Sequence, residues 1–103
     1  MQNVYLKLYF TEKRTHNGML MHEWLLKEAR KHGVPGGSVF RAIAGYGRDG
    51  TLREETFIEL GGELPVQIEF LLEKKMADSF LEALREYKLN IPYVRYSVSL
   101  GVV

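Results

Sequence analysis

The stretch of this chain best suited to chemistry is Gly45-Tyr46-Gly47-Arg48-Asp49-Gly50, directly after the apolar run Ser38-Val39-Phe40-Arg41-Ala42-Ile43-Ala44. A strand running into a glycine-rich turn that ends in a cation is suited to holding an anion. Glycine lets a ligand approach the main chain closely. Successive backbone N–H groups in such a turn form an anion-binding concavity, and the Arg48 guanidinium adds a fork of donors matched to phosphate. The stretch therefore points to a phosphate-bearing small molecule. Short glycine motifs also recur by chance, and a ligand-free hairpin tip fits the same residues.

Other chemistries find less support. His22 and His32 fall on one predicted helix, about 15 Å apart at the helical rise, too far to share a metal within one chain. His32 near a helix C-terminus is favoured by the helix dipole. His16 lies in a polar loop and is a candidate ligand contact. Glu54, Glu55 and Glu59 sit in a charged, exposed-looking stretch, and Glu69 alone makes no acid–base pair. The chain has no Gly-x-Ser-x-Gly elbow, Walker loop or His-Glu-x-x-His helix, and no enzymatic activity is expected.

Bulk properties narrow the field further. The 103 residues suit one domain, 1–103. Fourteen Lys and Arg against thirteen Asp and Glu give a formal charge of +1. That balance is a poor attractor for nucleic acid or an anionic membrane. No apolar run reaches membrane-spanning length, and Met1-Gln2-Asn3-Val4-Tyr5 enters a strand pattern rather than a signal peptide. The chain has no cysteine, which excludes disulfides, thiolate catalysis and cysteine zinc sites. The expected location is the cytoplasm.

The elements that must position the glycine turn follow from periodicity. Val4, Leu6, Leu8 and Phe10 alternate with Tyr5, Lys7, Tyr9 and Thr11, the signature of a half-buried strand. After the polar loop 12–18, with Asn17 as a helix cap, a helix is predicted from about Met19 to His32 and stops at Gly33. Val34-Pro35-Gly36-Gly37 turns into a second strand over 38–44, apolar on both faces, for which a bulge is one solution. Phe57-Ile58-Glu59-Leu60 reads as a short strand or ordered loop. Val66, Ile68, Phe70 and Leu72 define a third strand, and Met76, Phe80, Leu84 and Tyr87 the stripe of a second helix over about 74–87. A last strand follows Asn90 and Pro92.

The order strand, helix, strand, strand, helix, strand predicts an α+β ferredoxin-like βαββαβ sandwich. Its four-stranded antiparallel sheet carries both helices on one face and a long loop between strands 2 and 3. The helices are expected to cover Val4, Leu6, Leu8, Ile68, Phe70, Val94 and Val98. The opposite face is expected to carry Tyr5, Lys7, Tyr9, Gln67, Glu69, Arg95, Ser97 and Ser99. A mixed tyrosine and charge face suits solvent, a self-complementary subunit interface or stacked RNA bases.

Gly33-Val34-Pro35-Gly36-Gly37-Ser38-Val39, then Gly45-Tyr46-Gly47-Arg48, then Leu64-Pro65-Val66-Gln67-Ile68-Glu69 together resemble the PII signalling-protein pattern. The chain is more similar still to a PII-like group of short proteins, the domain of unknown function one-ninety. The shared features are the loop Lys13-Arg14-Thr15-His16-Asn17-Gly18 and the element Arg41-Ala42-Ile43-Ala44-Gly45-Tyr46-Gly47. The resemblance spans nearly the whole chain. It implies a homotrimer with inward-facing sheets and an adenine nucleotide (AMP, ADP or ATP) in clefts between subunits. It implies that Gly45, Tyr46, Gly47 and Arg48 form the base of a ligand-contacting loop, joined by Ser38 and Arg41. Gln67, Ile68 and Glu69 would lie beside the base. Two features depart from PII: 87–93 lacks a glycine- and lysine-bearing phosphate loop, and the C-terminal segment offers only Arg95. A nucleotide with few phosphates therefore fits better than a fully gripped triphosphate, with His16 or its neighbours replacing lost contacts.

The resulting expectation is a PII-like regulator that binds a nucleotide and signals through the 48–64 loop to a target protein, with no nucleic-acid partner and no membrane insertion. The alternative is a single-stranded RNA-binding or generic protein-interaction module on the same fold. For RNA, Tyr5 and Tyr9 could serve as stacking aromatics, but the third strand offers only polar side chains on the required face.

Overall fold

The computed structural model describes residues 2–44 and 64–103. Strand β1 (Asn3–Thr11) is followed by two short strands, β2 (Thr15–His16) and β3 (Met19–Leu20), then helix α1 (Met21–Lys31) and strand β4 (Gly37–Arg41). Strand β5 (Pro65–Glu73), helix α2 (Lys74–Arg85) and strand β6 (Tyr93–Val98) complete the described chain. The main sheet is four-stranded and antiparallel in the order β4-β5-β1-β6. Both helices pack on one face, the expected ferredoxin-like α+β architecture. The predicted Phe57–Leu60 strand and most of the long loop lie outside the described residues.

Alternation in β1 and β5 builds the core. In antiparallel pairing, directly opposed residues share a face. Val4, Leu6, Leu8 and Phe10 oppose Leu72, Phe70, Ile68 and Val66, and all eight are buried. The helices close this layer with Met21, Trp24, Leu25 and Ala29 from α1 and Ala77, Phe80, Leu81 and Leu84 from α2. Phe70 and Phe80 meet edge to face, ring centres 5.5 Å apart. Helix α1 ends as its sequence predicts. Gly33 has φ +82°, its N–H donates to Arg30 O, and Val34 N–H donates to Ala29 O. These two bonds form a Schellman stop.

Three expectations need correction. Asn17 is not a helix cap. Asn17 and Gly18, with φ of 52° and 75°, turn the β2–β3 hairpin, and α1 begins after Leu20 without a side-chain cap. An Asn-Gly pair is the preferred occupant of a two-residue hairpin turn with both residues at positive φ, and that was the overlooked signal. Strand β4 ends at Arg41 with continuous pairing to β5, and no bulge is needed in its described residues.

The face of β6 is inverted. Tyr96 opposes Tyr5, Val94 opposes Lys7 and Val98 opposes Asn3, so these three stand on the open face. Tyr93, Arg95 and Ser97 stand on the helix face. A one-residue change of parity exchanges the two faces of a strand. The physical reason is that β6 is an edge strand beside the polar flank of α2. Arg95 Nη1 reaches Asp78 Oδ1 at 2.7 Å, so this position on the helix side takes a charge. The Arg95 hydrogen bond, aided by Lys74, holds the Asp78 carboxyl below its ordinary value of 3.8. The stabilising effect is present above the unfolded carboxyl's pKa and is lost as pH falls through the folded one. An NMR titration is expected to place the Asp78 midpoint below 3.8 and to move it back up in Arg95→Gln; an unmoved midpoint removes the pair as the cause.

Candidate functional site

The sheet face opposite the helices is covered by no described element, and its residues fall into rows set by the strand register. Phe40, Gln67 and Tyr9 form one row across β4, β5 and β1. Ser38, Glu69, Lys7 and Val94 form the next, and Leu71, Tyr5 and Tyr96 the third. Cross-strand neighbours of this kind lie within contact distance of one another.

Glu69 is the hub. The Tyr5 hydroxyl donates to its Oε1, the Gln67 amide nitrogen donates to its Oε2, and Lys7 Nζ lies 3.9 Å from Oε2. The Tyr5 and Tyr96 rings stack in parallel, 5.5 Å apart, and the Lys7 ammonium stands 5.2 Å and 5.8 Å from their centres. A cation near aromatic rings is attracted by their quadrupoles. One carboxylate and one ammonium make the cluster neutral, and with the Glu69 side chain only 13% exposed it is already largely withdrawn from water. A neutral, internally bonded patch can be covered without leaving a buried unpaired charge.

Glu69 also lines two grooves on this face. One, of about 370 Å³, is lined by Tyr9, Phe40, Arg41, Pro65 and Gln67, where the chain leaves β4 and re-enters β5. The other, of about 580 Å³, is lined by Tyr5, Gly36, Ser38, Leu71 and Leu100. Phe40, absent from the sequence-based candidates, is 51% exposed beside Gln67. Its signal was its parity with Ser38 on a strand whose two faces both looked apolar.

The candidate residues are only partly brought together. Ser38, Gln67 and Glu69 share the open face. Ile68 is fully buried in the core, so its side chain cannot meet a ligand there. Arg41 lines the first groove, but its parity is that of Val66, and its guanidinium pairs with Glu12 at 2.5 Å. Arg95 is on the helix face, bound to Asp78. His16 belongs to the other side of the molecule, where its ring packs 4.3 Å from Trp24 and 5.7 Å from Tyr87. The Tyr87 hydroxyl there donates to the buried Glu28 at 3.2 Å. His16, a candidate contact from the polar loop, and Arg95, expected on the open face, both stand away from it, because loop and edge-strand directions are not set by local pattern. Gly45, Tyr46, Gly47 and Arg48 lie outside the described residues. Among the described residues no group of three or more His, Asp or Glu is arranged to hold a metal ion, and no helix is long and apolar enough to cross a membrane.

The split βαβ sandwich, with both helices on one face of a four-stranded antiparallel sheet, defines the class as a ferredoxin-like α+β fold. Comparison agrees. Over 98% of this chain and 97% of the other, the fold matches CPII, a nitrogen regulatory PII-like protein from Thiomonas intermedia K12, bound to ADP, AMP and bicarbonate, with a TM-score of 0.67 at 13% identity. The chain itself belongs to the DUF190 family, described as Uncharacterized ACR, whose model matches residues 3–95. It is 34% identical over 80 residues to the UPF0166 protein of Aquifex aeolicus (strain VF5), covering 78% of this chain and 76% of that one. It is 36% identical over 64 residues to a UPF0166 protein of Methanocaldococcus jannaschii, covering 62% and 58% respectively.

Proposed function

We propose that this chain is a PII-like regulatory protein that binds an adenine nucleotide on its open sheet face, at clefts between the subunits of a homotrimer. The carrying observation is the neutral cluster of Tyr5, Lys7, Gln67, Glu69 and Tyr96 on a face that no described element covers. Such a face suits burial against a second copy, and tyrosine is favoured at such interfaces. The fold neighbour CPII is bound to ADP and AMP, which supports the choice of ligand class. In this reading the base lies in the groove of Tyr9, Phe40 and Gln67. Gly45, Tyr46, Gly47 and Arg48, which follow directly on Ala44, supply phosphate contacts. Ligand binding then shifts the population of arrangements of the 48–64 segment, and that segment engages a target protein. The site is read as lying in a protein that works in the cytoplasm by binding rather than by catalysis.

The RNA-binding alternative is not favoured by the geometry. Tyr5 and Tyr96 are stacked on each other, the Tyr5 hydroxyl is bound to Glu69, and β5 offers Gln67 and Glu69 where a stacking aromatic is required.

Native mass spectrometry with calorimetric titration of AMP, ADP and ATP tests the proposal. A trimer that binds at least one of them is expected. Arg48→Ala is expected to cost about 1.5 kcal/mol of that affinity, roughly tenfold, the scale of one charge-assisted hydrogen bond. A monomer that binds none at millimolar concentration rejects the proposal, and unchanged affinity in Arg48→Ala removes that arginine from it.

A further inference from the structure

Between the last turns of α2, the strand β1 and the start of β6, the helix side of the sheet holds a cleft of about 280 Å³. Its floor and walls are Leu8, Leu81, Leu84, Leu89, Ile91 and Tyr93. Leu8 belongs to the core layer, so the cleft reaches down to a central strand. Tyr93 opens β6 and pairs with Leu8, which sets it on the helix face. The segment after α2 that forms the outer wall is pinned at two points. Arg14 Nη2 donates to Leu89 O, and Tyr9 N–H donates to Pro92 O at 3.1 Å. An apolar, preformed cleft with a few placed polar groups is the usual form of a small-molecule site.

The polar groups stand at its mouth. Arg85 and Lys88 both line the cleft and are both exposed. Arg85 Nη1 pairs with Glu82 Oε2 at 2.9 Å, whereas among the described residues no carboxylate pairs with Lys88. The backbone of Lys88 carries a second observation. Its φ is 52°, and its N–H donates to Arg85 O at the end of the helix. A left-handed residue that stops a helix is by preference glycine, because a Cβ is strained there. Gly33 fills that role after α1. After α2 a lysine holds the same kind of conformation. Backbone strain of this sort gathers at functional sites. What lysine adds over glycine here is an ammonium at the mouth of an apolar cleft.

We propose that this cleft binds a free aliphatic carboxylate. The chain lies against the leucines, and the head group meets the Lys88 ammonium. The walls select an aliphatic chain, and the cationic mouth selects an anion. An apolar cavity of about 150 Å³ holds a benzene ring, so the cleft has room for a chain of about eight carbons. The site lies across the sheet from the proposed nucleotide face and stands or falls independently of it.

Methyl NMR of the full chain titrated with octanoate tests the proposal. Saturable shifts are expected in the methyls of Leu8, Leu84, Leu89 and Ile91. Butanoate lacks four of the methylenes and is expected to bind at least about tenfold more weakly. Lys88→Gly is expected to weaken octanoate by about three- to tenfold, the range for a charge-assisted contact at a solvated mouth. The same variant is expected to keep or raise the urea midpoint, because glycine relieves the strained backbone. Octan-1-ol, the same chain without the charge, is expected to bind both proteins alike. A merely structural role for Lys88 would change both ligands together and overturn the assignment of the head group. No saturation at millimolar octanoate, shifts scattered outside the cleft, or undiminished octanoate binding by Lys88→Gly overturns the proposal. Shifts of the same methyls on concentrating the protein alone would place a second copy in the cleft and overturn it as well.

Discussion

Phe80→Ala is expected to lower the unfolding free energy by about 3–5 kcal/mol, the usual cost of deleting a buried aromatic ring. Phe80 is fully buried and meets Phe70 edge to face, with ring planes 86° apart. The substitution removes apolar area from the core and strips Phe70 of the partner that sets its ring. Phe70 cannot collapse into the gap easily, because it is pinned in β5, paired with Leu6 on one side and Gly37 on the other. A domain of this size has about 5–15 kcal/mol in total, so the loss consumes much of it. Urea unfolding at fixed protein concentration measures the effect as a lower midpoint with an unchanged slope. A loss under about 1 kcal/mol would show that the Phe70–Phe80 contact is not central to the core.

The second large effect concerns Gly37, the first residue of β4. A Cβ built there would stand 2.5 Å and 2.8 Å from two ring carbons of Phe70 and 3.2 Å from a methyl of Leu26. Phe70 is buried and its ring is held by Phe80, so it cannot swing aside as a surface side chain would. Gly37 is thus required for space, where the edge strand crosses directly over an aromatic ring. Gly37→Val is expected to destabilise by about 3 kcal/mol, the upper end of ordinary overpacking. The two sites are coupled, because Phe80→Ala frees Phe70 to move. In the double variant the costs are expected to sum to less than the two single losses, by roughly 0.5–3 kcal/mol in a double-mutant cycle. Strict additivity would mean that Phe70 does not transmit the clash.

Gly37 shows how a motif can be legible in position and misread in purpose. The run Gly33 to Val39 helped to carry the family resemblance; in the structure Gly33 is the helix stop its sequence predicts, whereas Gly37, read as a turn residue, is a close packing point in β4. The alternation of β1 and β5 was legible because both are central strands, apolar toward the helices and mixed on the other side. β6 was not, because at a sheet edge the apolar side need not be the helix side. Val94 and Tyr96 stay exposed on the open face, while Arg95 reaches over to Asp78. The pairing of Ser38, Gln67 and Glu69 on one face follows from strand parity. The Tyr5–Glu69 bond depends on register between residues far apart in the chain, which no local pattern encodes.

The aromatic trio of His16, Trp24 and Tyr87 provides a spectroscopic handle. Trp24 is the sole indole in the chain and lies on the side away from the proposed nucleotide face, under the β2–β3 hairpin. Its emission therefore reports the seating of that hairpin on the helices. Loss of this signal ahead of far-ultraviolet ellipticity during denaturation would mark the hairpin as a separately melting unit; coincident curves would mark one cooperative transition.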